Sequence, residues 1–155
     1  MDLDRYDRRI LNVLQSEGRI SNQDLAERIG LSPSPCLRRV KALEDAGLIT
    51  GYRAELDARS AGFGLMALIQ ISMDRHTSER FTHFEEQVAG IPEVIECLLI
   101  TGQAADYQLK AVVRDMDGYQ ALLLNRITRI QGVTGVHSSF VMRKIKLSGA
   151  LPIEG

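Results

Sequence analysis

Three cations in one short stretch, Arg38, Arg39 and Lys41, follow two small hydroxyls, Ser32 and Ser34, in the segment LSPSPCLRRVKALE. On a helix, residues three and four apart share a face, so Ser34, Arg38 and Lys41 line one side, with Pro35 beside them in the first turn. Hydroxyls near a helix start and long cations beyond it fit a DNA major groove. Arginine binds guanine bidentately there, while Lys41 or Arg39 neutralises a phosphate. Upstream, Ser21 and Asn22 open another helix, and they and its free N–H groups can donate to a phosphate. The same charges also fit a solvated helix face paired with Glu44 and Asp45, and residue types alone leave both open. Other chemistry is sparse. His76, His83 and His137 lack metal-ligand spacing, and Cys36 and Cys97 are too few for a disulfide framework or a four-thiolate zinc site. Ser138-Ser139 has no partner base. No catalytic residue, metal or cofactor is expected.

The elements that must position these residues fall into two textures. Asp4 caps a first helix with apolar positions Ile10, Leu11 and Leu14, ending near Gly18. Ser21 starts a second, with Asp24 three residues on, Leu25, Ala26 and Ile29 inward, and Gly30 as its stop. Ser32 caps a third, with Pro33 in the first turn, a buried stripe of Leu37, Val40 and Leu43, and Gly47 closing it. Only Gly30 and Leu31 separate the second helix from the Ser32 cap, which is helix-turn-helix spacing. Residues 1–50 are therefore expected to form a DNA-binding domain. From Leu48 to Leu56 the pattern is extended, so residues 51–63 are expected to form a linker or wing.

Residues 64–155 contain a repeat. Sliding the chain on itself places Leu65, Ala67, Ile69 and Ile71 over Tyr107, Leu109, Ala111 and Val113. The same shift places VAGIPEVIECLLI over IQGVTGVHSSFVM without a gap. In each copy a helix leads into a glycine, Gly90 or Gly132. The first helix buries Phe81, Phe84 and Val88; the second buries Tyr119, Leu122, Leu123, Ile127 and Ile130. Strand–helix–strand twice over predicts a ferredoxin-like βαββαβ module, and an α+β chain as a whole. Helices on one face leave the other to be covered. Met66, Leu68, Leu99, Val112 and Val141 are expected there, an apolar patch suited to sheet-to-sheet dimerisation.

Composition bounds the rest. The 155 residues are 45% hydrophobic and 25% charged, with a formal net charge of −1. That excludes a polybasic DNA-coating protein and a disordered acidic tail, so any nucleic-acid site is a local patch. No apolar run resembles a signal peptide or reaches the ~18 residues of a membrane helix, and a cytoplasmic protein is expected.

The segments DLDRYDRRILNVLQSEGRISNQDLAERIGLSPSPCLRRVKALEDAGLITGY and TGQAADYQLKAVV resemble the leucine-responsive / asparagine-regulator (Lrp/AsnC) family of bacterial transcription factors. The resemblance covers nearly the whole chain. Its most specific parts are LSPSPCLRRVKALE with the following GLI-x-GY, and the loop-strand TG…ADY. It implies a winged helix-turn-helix joined to a βαββαβ module that binds small molecules, usually amino acids. It also implies dimers that associate into octamers or similar assemblies, associated with the nucleoid. An architectural DNA-wrapping protein that ignores small molecules stays open beside it. So does a haem-precursor decarboxylase of related fold, against which the basic helix argues.

The resemblance also implies an effector site between dimers, beside the loop Thr101-Gly102-Gln103-Ala104-Ala105-Asp106-Tyr107. Leu99, Gly102, Gln103, Asp106 and Met116 match the pocket, with Ser139, Phe140 and Val141 supplied by a neighbouring dimer. Gly102 lets backbone N–H groups approach a carboxylate, and Asp106 is the loop's acceptor for an ammonium. Met116 or Phe140 would set side-chain size. Three residues separate Gly102 from Asp106, one more than the family's usual spacing. The loop also fits a plain strand-connecting turn.

Overall fold

The computed structural model describes residues 2–102, 104–146 and 149–154. The chain divides into two compact units, Met1–Glu55 with Ile145–Gly155, and Leu56–Lys144.

The first unit holds α1 (Arg5–Ser16), α2 (Asn22–Ile29) and α3 (Pro33–Asp45). Asp4 caps α1 through a capping box with Asp7, satisfying N–H groups that the first turn leaves without partners. Ser21 caps α2 by accepting from the Asp24 N–H at 3.1 Å. Gly30 ends that helix at φ +77°, the left-handed conformation a glycine adopts without steric cost, and turns the chain into α3 within two residues. The three helices close on Ile10, Leu11, Leu25, Ala26, Ile29, Cys36 and Leu43.

Two expectations change here. Leu37 is not in the core but 57% exposed. The inward stripe of α3 is Cys36, half-buried Val40 and Leu43, at i, i+4 and i+7. The C-terminal segment, expected in the second domain, packs on α1 instead. Asn12 Nδ2 donates to the Ile153 carbonyl at 3.1 Å, the Leu151 N–H donates to the Gln15 side-chain oxygen, and Ile153 packs against the helical core. No strand forms between Leu48 and Leu56. Ile49 packs on the same core, and the Tyr52 hydroxyl donates to Glu44 Oε1 at 2.9 Å.

The second unit is β1 (Leu65–Met73), α4 (Ser78–Ala89), β2 (Val94–Leu99), β3 (Tyr107–Val113), α5 (Met116–Asn125), a 3-10 turn Ile127–Arg129, and β4 (Val133–Phe140). The strands form one antiparallel sheet in the order β2-β3-β1-β4, the βαββαβ arrangement read from the repeat. Ala67, Ile69, Ile71, Met73, Tyr107, Leu109, Ala111 and Val113 face the helices and meet Phe84, Val88, Tyr119, Leu122 and Ile127. Where the repeat predicts one helix running toward Gly132, α5 stops at Asn125 and the 3-10 turn carries Ile127 into the core.

The opposite face is less uniformly apolar than expected. Met66, Leu68, Val112 and Val141 share it with Gln70, Gln108, Lys110, His137 and Ser139. Leu99 is not on it: the register shift between Val94 and Glu96 pairs Leu99 with Tyr107, on the helix side. A bulge reverses the facing that simple alternation assigns.

Candidate functional site

In α3 the residues split by what they touch. Ser34, Leu37, Arg38 and Lys41 are exposed and lie within two turns of one another on the face away from Cys36, Val40 and Leu43. Ser32, at the N-cap, makes no capping bond, so its hydroxyl is not spent on the helix, and Pro35 is half-buried. Arg39, expected to reach a phosphate, turns the other way. Its Nη1 lies 2.8 Å from Asp7 Oδ1 and 2.8 Å from Asp4 Oδ2, with its guanidinium over the Tyr6 ring. The hydrogen bond to Asp7 is the largest influence holding that guanidinium charged, and backbone donation from Asp7 holds the Asp4 carboxyl below its ordinary range. Asp7 is only 5% exposed, so Arg39 compensates a buried carboxylate and joins α3 to α1.

Asn22 is similarly committed. Its amide donates to the Pro33 carbonyl at 2.9 Å, fixing the start of α2 against the start of α3. The Ser21 hydroxyl donates to Asp24 Oδ2 at 2.6 Å. What the start of α2 can still present to a phosphate is its free N–H groups. Leu37 was missed from the sequence. An exposed apolar side chain between Ser34 and Arg38 suits a thymine methyl, and the signal for it was a second valid helical stripe through the cysteine.

The second candidate region lies at the loop between β2 and β3. Gly102 has φ +153° with open space where a Cβ would stand, so a side chain there is opposed by backbone conformation rather than by crowding. Gln103 lies outside the described residues. Ala105 is buried, and the Ala104 carbonyl accepts from Ser72 Oγ at 3.4 Å. Asp106 staples the loop to β1: its N–H donates to the Ile71 carbonyl at 2.8 Å, and its Oδ2 accepts from the Met73 N–H at 2.7 Å. Its Oδ1 lies 2.8 Å from His76 Nε2, a partner the sequence did not signal. Beside the loop, a cleft of about 410 Å³ is lined by Gln70, Ser72, Ala104, Gly135, Val136 and His137.

Tyr107 follows directly and anchors the loop's end. It is buried against Phe81 and Phe84, and its hydroxyl donates to Glu85 Oε1 at 2.7 Å. Burial first, then the Glu85 carboxylate, holds this phenol well above the ordinary tyrosine range. A raised folded pKa contributes stability that is full below the unfolded value of about 10 and lost as pH rises above it. Tyr107→Phe should therefore cost about 1 kcal/mol near neutrality and flatten the alkaline fall in stability. Denaturant unfolding at about pH 8 and about pH 11 checks this, with equal alkaline slopes as the contrary result.

Residues 66–151 match the Lrp/AsnC ligand binding domain, and residues 3–50 match a winged helix-turn-helix DNA-binding domain. The chain belongs to the Lrp/AsnC family. Its Lrp/AsnC relatives include the Bkd operon transcriptional regulator of Pseudomonas aeruginosa, 40% identical over 152 residues covering 98% of this chain and 99% of that one. The leucine-responsive regulatory protein of Escherichia coli K12 is 42% identical over 153 residues, 99% of this chain and 93% of that one. Among solved structures, a transcriptional regulator of Neisseria meningitidis in complex with L-Met superposes with a TM-score of 0.92, at 42% identity over 97% of each chain. This Lrp/AsnC chain is accordingly a DNA-binding transcriptional regulator with a ligand-binding module.

The residues matched to the family pocket do not meet within one Lrp/AsnC chain. Leu99, Gly102 and Asp106 lie at the end of the sheet where β3 begins. Phe140 pairs with Ala67 at the start of β1, with Ser139 beside it and Val141 just beyond, and Met116 opens α5 after β3 has ended. A strand of that length separates the groups by roughly 20 Å. Phe140 instead packs edge-on against Tyr119, with centroids 5.0 Å apart.

Proposed function

We propose that this regulator reads double-stranded DNA with the exposed face of α3, as a homodimer or larger assembly, and that a small amino acid acting at the β2–β3 loop modulates it. The observation that carries the DNA reading is the split of α3. Ser34, Leu37, Arg38 and Lys41 make up the outward face, while Arg39 is held by Asp4, the N-cap of α1, and by Asp7 within it. Arg38 is the base-reading candidate; Lys41, with Ser32 and the N–H groups at the start of α2, contacts phosphates. Function follows from binding alone, with no catalytic step, and the protein works in the cytoplasm on the nucleoid.

The amino-acid reading rests on the ligand-binding match and on the L-Met carried by a regulator of similar structure. It needs more than one subunit, because Ser139, Phe140 and Val141 reach a neighbour's Gly102–Asp106 loop only across an interface. Met66, Leu68, Val112 and Val141 supply an apolar end of the open sheet face for pairing. One observation favours the architectural alternative: both Asp106 oxygens are already bonded inside the chain.

Light scattering with and without L-leucine and L-methionine tests both. A dimer or larger species is expected, with a change in size or DNA affinity on adding ligand and a coupling of about 1–3 kcal/mol. A monomer at micromolar concentration overturns the assembly. An assembly indifferent to both amino acids leaves the architectural reading in its place.

A further inference from the structure

His76 stands where an effector's ammonium has to go. Its Nε2 lies 2.8 Å from Asp106 Oδ1, while Oδ2 is committed to the Met73 N–H. The imidazole is 68% exposed, so it can leave this position without opening the core. It is held from behind by the Phe81 ring, 5.9 Å between centroids and tilted by 58°. Asp106 cannot turn to offer another oxygen, because the Met73 bond and its own backbone bonds to Ile71 and Ile100 fix its orientation. A ligand ammonium at Oδ1 must share it with, or displace, the His76 imidazole already bonded there.

We propose that His76 is an intramolecular competitor for the effector's ammonium at Asp106, and so sets the affinity of the site. The proposal rests on the amino-acid reading of the β2–β3 loop. The His76 N–H and a ligand ammonium donate to the same carboxylate oxygen, so each weakens the hold of the other. Arg80 on α4 is engaged with Asp74, and Glu85 with Tyr107.

Calorimetric titration of the full-length protein with L-leucine and with L-methionine tests this. His76→Ala should bind about two- to fivefold more tightly than wild type, the range an exposed ion pair contributes. His76→Gln keeps a donor and should be intermediate. DNA binding without ligand should be the same in all three. Binding in His76→Ala equal to or weaker than in wild type overturns the proposal. If neither amino acid binds wild type or His76→Ala, the loop reading itself fails and takes the proposal with it, a result distinct from binding that ignores His76.

Discussion

Arg38→Ala is expected to weaken binding to the specific site by about 1–3 kcal/mol and to relax sequence preference at one position, with thermal stability unchanged. Its neighbour should behave in the opposite way. Arg39→Ala leaves Asp7, 5% exposed, without its cation. Breaking a fully buried pair costs about 3–5 kcal/mol; with a third of the Arg39 side chain exposed, about 1–3 kcal/mol is expected here. Its DNA binding should fall alike for all sequences, because the α1–α3 packing is loosened while Arg38 is untouched. Lys41→Ala should also act alike on all sequences, but through the salt dependence, reducing the slope by about one unit at unchanged stability. Melting curves and titrations over a salt series separate the three. Equal stability loss in Arg38→Ala and Arg39→Ala would remove the division of α3 into a reading side and an anchoring side.

Asp106→Ala should abolish the effector response while leaving ligand-free DNA binding nearly intact. It should also cost about 1–3 kcal/mol in the ligand-binding module, since the Met73 N–H loses its acceptor. Asp106→Asn separates the two roles. A side-chain amide oxygen can still accept from Met73, so stability should return, while the missing charge should weaken effector binding by roughly tenfold or more. Unfolding curves and calorimetry on both variants provide the check. A full response in Asp106→Asn would mean that the aspartate is only the staple of a turn.

Much of the architecture was legible because it is encoded locally. Asp4 and Ser21 cap by bonding N–H groups two or three residues on, so a short window suffices. The βαββαβ order was legible because two copies of one pattern share one solution, and Ile69 and Ala111 fall at equivalent core positions. The α3 stripe was half-legible. Leu37 and Cys36 both complete an apolar face with Val40 and Leu43, and periodicity does not choose between adjacent columns of one helix. Packing against α1 and α2 chose the smaller Cys36 and left Leu37 outside.

The site residues divide along the same line. The sequence by itself determined a helix-turn-helix with cations on its third helix, a βαββαβ module, and a glycine-to-aspartate loop between its second and third strands. Only the tertiary structure decided which of two adjacent arginines is outward. The acid that claims Arg39 lies 32 residues earlier, and no local rule connects them. Only the structure gave Asp106 the Met73 N–H, 33 residues back, and His76 as partners. Leu99 changed face because a bulge resets the alternation on which its assignment rested. In each case the deciding interaction joins residues distant in sequence. Propensity and periodicity act over a turn or a strand, whereas charge pairing, register and core packing are settled only when separate elements meet.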